Sequence, residues 1–267
     1  MIKEKFIKQG KKCVMQEVTD NLVDPTNATV LKPFGPSIVK MRMDEKVQSI
    51  LRGAFDNNTD APDNSSKLAG NMKREFQLTK ELLGPDAQMF VDLLASGSGK
   101  LYNTSIQDKW SLLQPTLTVE HSAVIQSNLD TVFPMCQIHD AWGNISVAGD
   151  FNPVHGHGGA ISGVGYLRMP DNIDDEWARE DHEPSAGMIT FIDGRSANMG
   201  ESNIRIKPQV GDIYFFPAWL LHQVNPFRSS GERWSFSFNT TVHADNPLQL
   251  SQEQKLEIKE KIGTRYV

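Results

Sequence analysis

The second half of the sequence is a series of short segments rich in β-branched and aromatic residues, separated by turns. Six such segments predict strands, at Trp142–Ala148, Ile161–Met169, Met188–Asp193, Asn203–Lys207, Asp212–Phe216 and Arg233–Val242. Several short strands at this spacing are typical of a β-sandwich or barrel, including the double-sheet jelly roll. We therefore expect a mainly β fold with flanking helices, in which these strands form a sandwich or a barrel, with the jelly roll among the options.

The pattern of residues in the first half of the sequence predicts helices. A polar Asn/Asp/Ser/Pro cluster at Asp56–Ser66 reads as a loop between a helix around Asp44–Phe55 and a helical region around Met72–Ser96. A capping-box sequence starts a solvent-facing helix at Ser251. We expect a single domain over 1–267, in which a mostly helical region 1–130 supports a β-barrel core 131–243 and a C-terminal helix follows in 244–267.

Composition excludes several classes of protein. Hydrophobic residues make up 39% of the chain, which is enough for a packed core. The net charge of −6 argues against general nucleic-acid binding. The apolar stretch Ile213–Leu221 is too short to span a bilayer, and five lysines near the N-terminus are not followed by a signal-peptide core. Cys13 and Cys136 lie far apart, so we expect no disulfide framework and a cytoplasmic location.

Three of the seven histidines are placed where they could share an ion. His155 and His157 are separated by one glycine in a Gly/Pro-rich segment between two predicted strands. His222 lies 65 residues after His157, beyond a further predicted strand. Two imidazoles at a strand end and a third on a neighbouring strand can form a facial triad, which leaves coordination positions open for a co-substrate and dioxygen.

The segment Arg233–Asn239 alternates strictly between polar and aromatic residues. Trp234, Phe236 and Phe238 fall on one face, which predicts a core-facing surface. The other face carries Arg233, Ser235, Ser237 and Asn239 and would look into the barrel. A buried arginine needs an anionic partner, because an unpaired buried charge is strongly unfavourable. Its partner is either an internal Asp or Glu or the carboxylate of a ligand, which a guanidinium can bind through two hydrogen bonds.

At this point the stretch from Trp142 to Asn239 resembles the iron(II)/2-oxoglutarate-dependent oxygenase superfamily, and is most similar to its members in bacteria and tailed phages. The motifs that carry the resemblance cover over a third of the chain and are Ala141–Asn144, His155-Gly156-His157, Ser162–Leu167, Gly211–Pro217, Leu221–Val224 and Glu232–Ser235.

The resemblance implies roles for single residues. His155 and His222 would be iron ligands, and Arg233 would bind the C5 carboxylate of 2-oxoglutarate, with Ser235 completing an Arg-x-Ser pattern. Asn144 matches an asparagine that touches 2-oxoglutarate in the AlkB-like branch, and Tyr166 could donate its hydroxyl to the same co-substrate. The implied cofactors are Fe(II) and 2-oxoglutarate as co-substrate. The implied fold is a double-stranded β-helix (jelly-roll, cupin-like) core with a metal site, over residues 131–243.

The third metal ligand departs from the superfamily pattern. The superfamily has His-x-Asp or His-x-Glu, whereas this chain has His157 at the carboxylate position. Three interpretations remain: His157 ligates the metal, the position is vacant as in iron halogenases, or a remote carboxylate such as Asp150 or Asp193 supplies the ligand.

The resemblance implies oxidative decarboxylation of 2-oxoglutarate to succinate and CO2, coupled to hydroxylation of an unidentified substrate. Two alternatives are a three-histidine cupin-type dioxygenase or isomerase that does not use 2-oxoglutarate, and a non-catalytic jelly-roll ligand-binding module. We expect a small-molecule co-substrate and a primary substrate that the sequence does not identify, no membrane, and no nucleic-acid partner. The remaining histidines, His121, His139, His182 and His243, lack partners at ligand spacing. Gly97–Lys100 resembles the end of a phosphate-binding loop but lacks its earlier glycine and its Ser/Thr.

Overall fold

The computed structural model describes residues 28–31, 35–67, 69–129, 134–178, 183–193, 202–244, 248 and 250–262. Cys13, His182 and the N-terminal lysines lie outside these residues. The described strands are β1 Thr29–Leu31, β2 Ile38–Arg42, β3 Arg74–Gln77, β4 Met135–Ser146, β5 Asn152–His155, β6 Ile161–Arg168, β7 Ile189–Ile192, β8 Asn203–Ile206, β9 Asp212–Pro217, β10 Leu221–Val224 and β11 Arg233–His243. The helices are α1 Glu45–Asp56, α2 Lys80–Leu83, α3 Ala87–Leu113, α4 Val119–Leu129, α5 Ile173–Trp177 and α6 Gln252–Ile262.

The strands form two antiparallel sheets. The major sheet has seven strands in the order β1-β2-β9-β6-β11-β4-β3, and the minor sheet has four in the order β5-β10-β7-β8. Along the chain, β4 to β11 alternate between the sheets except at β7 and β8, which are neighbours in the minor sheet. This is the strand order of a double-stranded β-helix, so the jelly-roll core predicted from the sequence is confirmed.

The major sheet is covered on its outer face by α1 and α3. This layer contains the largest hydrophobic cluster of the described residues, which includes Phe55, Phe90, Phe215, Phe236 and Phe238. Glycines on the sheet and on α3 make the close packing possible. A Cβ on Gly163 would lie 2.1 Å from the ring of Phe238, and one on Gly97 would lie 2.1 Å from the ring of Phe215.

The face of β11 that carries the aromatic residues is thus the outer one. Arg233 and Ser235, on the other face, are buried inside the barrel. Direct pairing carries the same face to β4, where Ser146 is opposite Arg233, Asn144 opposite Ser235 and Trp142 opposite Ser237.

The N-terminal region contains more than the helices expected from the sequence. The strands β1, β2 and β3 extend the major sheet at its two edges. The helix expected from Met72 is wrong at its start, because Arg74–Gln77 pair with β4 and place Phe76 in the core. The helix expected to end at Ser96 continues to Leu113 as α3, since Gly97 is a packing position there and not a helix end.

At the N-terminus of α1 the sequence prediction is close. Asp44 is the N-cap residue, and its carboxylate accepts a hydrogen bond of 2.7 Å from the backbone N–H of Lys46. At the other end of the chain, the described residues of the expected helical segment 244–267 contain α6 at Gln252–Ile262. Within the described part of the chain, no helix combines the length and apolar character needed to cross a membrane.

Candidate metal centre and co-substrate pocket

The three histidines singled out from the sequence lie together at one end of the barrel. His155 on β5 is directly paired with His222 on β10, and His157 follows β5 after a single residue. The ring centroids of His155 and His222 are 4.3 Å apart, and that of His157 is 4.9 Å from the former and 5.1 Å from the latter. One ligand nitrogen from each ring lies within 4.8 Å of the other two, which is a donor set able to hold one metal ion.

Backbone carbonyls orient two of these imidazoles. Nδ1 of His155 lies 2.7 Å from the carbonyl oxygen of Pro153, and Nδ1 of His222 lies 2.9 Å from that of Leu220. A carbonyl oxygen can only accept a hydrogen bond, so each Nδ1 carries the proton and donates it. In both rings Nε2 is therefore the atom left to ligate a metal, and the carbonyl fixes the plane in which it points.

The centre favours neutral imidazoles. Burial lowers the pKa of His222 to about 3, although its hydrogen bond to Leu220 acts in the opposite direction. Burial and the neighbouring His155 lower the pKa of His157 to about 4. Only a neutral imidazole offers a lone pair to a metal, so the environment that disfavours protonation prepares the cluster for a cation.

Arg233 lies on the inner wall of the barrel at the start of β11. Its side chain is among the most buried in the protein, with a relative exposure of 2% for the residue. One terminal nitrogen donates to the carbonyl of Gly187 and the other to the hydroxyl of Ser146, both at 3.0 Å. Its Nε has no hydrogen-bond partner.

Among the described residues, no carboxylate forms an ion pair with Arg233. Asp150 and Tyr166 are close enough to affect its electrostatics, but burial is the dominant influence and lowers the pKa of the guanidinium. A buried cation with neutral hydrogen-bond partners and a free N–H is an unusual arrangement, because burying a charge without a counterion is costly. It indicates room for an anion supplied from outside the chain.

The side chains between Arg233 and the histidines are mostly polar and buried. Tyr166 and Ser235 are directly paired, and burial raises the pKa of Tyr166 to about 12, so its hydroxyl stays protonated and able to donate. Asn144 donates a long hydrogen bond of 3.4 Å to Ser237, and its buried Oδ1 has no partner. The structure thus brings Asn144, Tyr166, Arg233 and Ser235 to one wall, as the sequence predicted.

The two remote carboxylates considered as third ligands are not part of the histidine cluster. Asp150 is buried and accepts hydrogen bonds from the backbone N–H groups of Lys73 and Val147 and from the side chain of Asn71. These contacts hold the segment around residues 71–73 against the turn before β5. Asp193 follows β7 directly, and the residues after it, 194–201, lie outside the described part of the chain. Of the candidates for the third ligand, only His157 lies in the cluster.

The other histidines have the surroundings expected of structural residues. His121 contacts Glu257, and His139 and His243 contact Thr241 and Gln137 on the neighbouring strand. Gly97–Lys100 lies within α3, so it is not a phosphate-binding loop.

Two residues near the centre were missed by sequence reasoning. The side-chain nitrogen of Asn152 lies 3.4 Å from Nε2 of His155, and the indole of Trp142 has its ring centroid 5.9 Å from that of His157. Trp142 was noted only as part of a motif. The pairing of β4 with β11 places Trp142 opposite Ser237, on the inner face of the barrel. No spacing rule pointed to Asn152.

Together, a jelly-roll barrel, a cluster of three imidazoles at its mouth and a buried arginine without a carboxylate partner among the described residues are the features of a barrel protein able to hold a metal ion and an anionic ligand. Comparison with known proteins points to one family with such a barrel. Residues 140–239, which comprise most of the barrel, match the family described as "Putative 2OG-Fe(II) oxygenase". Over these residues, which make up less than half of the chain, the protein is similar to the 2OG-Fe(II) oxygenase family.

Solved structures give a broader but weaker likeness. A 2OG-Fe(II) oxygenase family oxidoreductase from Burkholderia pseudomallei is 13% identical with a TM-score of 0.42, over 76% of this chain and 84% of that one. A prolyl-4-hydroxylase from Pseudomonas putida is 12% identical with a TM-score of 0.42, over 76% and 91% of the two chains. A viral collagen prolyl hydroxylase from Paramecium Bursaria Chlorella virus-1 is 12% identical with a TM-score of 0.40, over 77% and 96%. No curated protein gives a significant match.

Proposed function

We propose that the chain is a dioxygenase that binds iron(II) through His155, His157 and His222 and binds 2-oxoglutarate through Arg233. The observation that carries this proposal is the buried guanidinium of Arg233, which has no carboxylate partner among the described residues and shares the barrel interior with the histidine cluster. Asn144, Tyr166 and Ser235 would complete the co-substrate pocket.

The donor set fits iron(II) and 2-oxoglutarate. Three imidazoles on one side of an ion leave further coordination positions open, as an oxygenase requires. The Nε of Arg233 and the Oδ1 of Asn144 are buried polar atoms without partners, which a polar ligand in the pocket would be able to satisfy directly or through water. Bound iron(II) and 2-oxoglutarate supply oxidising power from dioxygen, one atom of which enters succinate, with release of CO2, and the other the hydroxylated substrate.

The protein residues position these groups and protect them from water. Arg233 holds a carboxylate in place by charge and direction, since Ser146 and the carbonyl of Gly187 fix two of its nitrogens. The protonated hydroxyl of Tyr166 can donate to the same ligand. The carbonyls of Pro153 and Leu220 keep the Nε2 atoms of His155 and His222 directed at the metal position.

The experiment is an anaerobic titration of the purified protein with iron(II) and then 2-oxoglutarate. We expect a metal-to-ligand charge-transfer absorption band, which reports 2-oxoglutarate bound to iron(II). Arg233→Ala should weaken 2-oxoglutarate binding while iron binding persists. Absence of the band from the wild-type protein would refute the proposed function. Succinate released on admission of air with a candidate substrate would then measure turnover.

The three-histidine cluster gives one competing function specific support, because a cupin-type metal dioxygenase or isomerase can also use three imidazoles. That enzyme would bind iron(II) equally well and would show no band with 2-oxoglutarate. Its activity would be unaffected by Arg233→Ala. The titration therefore separates the two functions in one experiment.

A further inference from the structure

The two longest strands of the barrel, β4 and β11, extend past it at the end that carries the histidine cluster. The strands of the minor sheet have four residues each, whereas β4 has 12 and β11 has 11. Beyond the Trp142–Ser237 pair, the two strands remain paired as far as Met135 and His243. At about 3.4 Å per residue this extension is roughly 20 Å long. We call its inner face, from Trp142 to Met135 and from Ser237 to His243, the shelf.

The shelf is continuous with the catalytic wall. Trp142 is directly paired with Ser237, which lies on the same face of β11 as Arg233, and its indole is next to the ring of His157. A molecule lying on the shelf would therefore have one end beside the metal position. Arg233 lies in the opposite direction, so the co-substrate pocket and the shelf do not overlap.

Side-chain hydrogen bonds keep the polar groups of the shelf in fixed positions. Ser162 donates to Oδ1 of Asn239 at 3.0 Å, which leaves the amide nitrogen of Asn239 as a donor. The carboxylate of Asp140, directly opposite Asn239, is an acceptor that forms no ion pair with a described residue. Further out, His243 and Gln137 lie 3.2 Å apart across the two strands.

The charges on the shelf exclude some classes of substrate. Its described side chains include no lysine or arginine, and Asp140 is its one acidic residue. Nucleic acids and other polyphosphates need cationic contacts, so they fit this surface poorly. A bound peptide uses pockets for alternate side chains, whereas the described side chains of the shelf are mostly polar, with Trp142 and Met135 as its large apolar groups.

We propose that the shelf binds a neutral polyhydroxylated substrate of the sugar class. The indole of Trp142 would pack against the C–H face of a sugar ring, and Asn239 and Asp140 would supply a donor and an acceptor for its hydroxyl groups. This inference rests on the proposed function, because it takes the metal centre as the place where a C–H bond of that ring becomes C–OH.

Saturation-transfer NMR tests the binding without requiring turnover. The full chain, loaded with zinc as an inert metal and with 2-oxoglutarate, is mixed with D-glucose, D-galactose, N-acetyl-D-glucosamine and maltotriose. A neutral decapeptide and a thymidine decanucleotide are measured separately. We expect signal transfer to the ring protons of at least one sugar, and a fall of at least fivefold in that signal in Trp142→Ala. Asn239→Ala and Asp140→Asn, which alter exposed or half-exposed side chains, should each reduce it by at least twofold.

The matched control is Trp219→Ala, since Trp219 is 65% exposed on the turn between β9 and β10 and is not on the shelf. The anaerobic charge-transfer band of each iron-loaded variant shows whether its centre is intact, so failure of the proposed function is detected separately. The inference is overturned if no sugar gives a signal while the wild-type band is present. It is equally overturned if the peptide or the oligonucleotide binds instead, or if Trp219→Ala reduces the sugar signal as much as Trp142→Ala.

Discussion

The two ends of the barrel interior offer groups suited to ligands of opposite charge. At the mouth lie three imidazoles: backbone carbonyls and strand pairing orient His155 and His222, and burial favours the neutral state of His157 and His222. At the inner end, one guanidinium keeps a permanent charge while buried, with a carbonyl and a hydroxyl as its partners. The mouth is prepared for a cation and the inner end for an anion. A co-substrate with a carboxylate at one end and metal-binding oxygens at the other would satisfy both.

Removing a proposed metal-ligating histidine at the mouth should cause the largest loss of binding affinity. His222→Ala is expected to weaken metal binding by about 1000-fold or more, because a direct ligand contributes more than the 10–100-fold of an outer-sphere contact. Isothermal titration with zinc or nickel measures it. His121→Ala, a partly exposed histidine that contacts Glu257, is the matched control and should bind as the wild type does. Metal affinity within tenfold of the wild type in His222→Ala would mean that the cluster does not hold the ion.

Arg233→Ala should act on the other end of the interior only. Loss of a buried charge partner typically costs 2–5 kcal/mol, so 2-oxoglutarate affinity should fall by about 30-fold or more. Zinc affinity should stay within about threefold of the wild type, which is what separates the two ends. Arg205→Ala, on β8 and paired with Glu183, provides a control for loss of an arginine. Equal losses of metal and 2-oxoglutarate binding would show that the ends are one structural unit.

The contrast between the inner end and the mouth also shows which parts of the site the sequence could predict. The inner end could be read from alternation along Arg233–Asn239, because a long strand with strict period two has only one way to face a core. The mouth could be read from histidine spacing, but its strands β5 and β10 were not predicted. Each has four residues, one contains Pro153, and their pairing shifts register between His222 and Val224. Such short, irregular strands form because the barrel closes around them.

The N-terminal strands escaped prediction for a similar reason. β1 and β3 have three and four residues and gain their stability from pairing at the edges of a sheet that lies far away in sequence. Trp142 and Asn152 depend on the same long-range pairing, since only the folded barrel brings them beside His157 and His155. Local propensity carries no information about such contacts.

Substitutions of His157 test whether this residue supplies the third metal ligand at the mouth. His157→Ala should lower metal affinity by more than about 100-fold, since a direct ligand exceeds the 10–100-fold of an outer-sphere contact, but by less than His222→Ala, because the paired imidazoles on β5 and β10 would remain. His157→Asp should restore affinity to within about tenfold of the wild type, since a carboxylate is also a good ligand for iron(II). Zinc titrations of the three proteins measure both changes. Wild-type affinity in His157→Ala would assign the third position to a group other than His157.

The smallest loss of affinity is expected when a hydrogen-bond partner of Arg233 is removed at the inner end. Ser146→Ala removes the hydroxyl that accepts from Arg233, and leaving a buried donor without a partner costs about 1–3 kcal/mol. Part of that penalty should appear as lower stability towards urea. Part should appear as a 2-oxoglutarate affinity reduced by about three- to tenfold, because the guanidinium is held by Gly187 alone.

A purely structural role for Ser146 predicts a different result, in which stability falls and 2-oxoglutarate affinity does not. Ser111→Ala, whose hydroxyl bonds within α3, is the matched control for loss of a hydroxyl and should change neither quantity appreciably. Saturating 2-oxoglutarate should recover more stability in Ser146→Ala than in Arg233→Ala, because only the former keeps the charge that binds the ligand. A larger recovery of stability in Ser146→Ala would show that the charge of Arg233 binds the anion at the inner end. The Ser146 hydroxyl and the Gly187 carbonyl would then serve to orient the guanidinium.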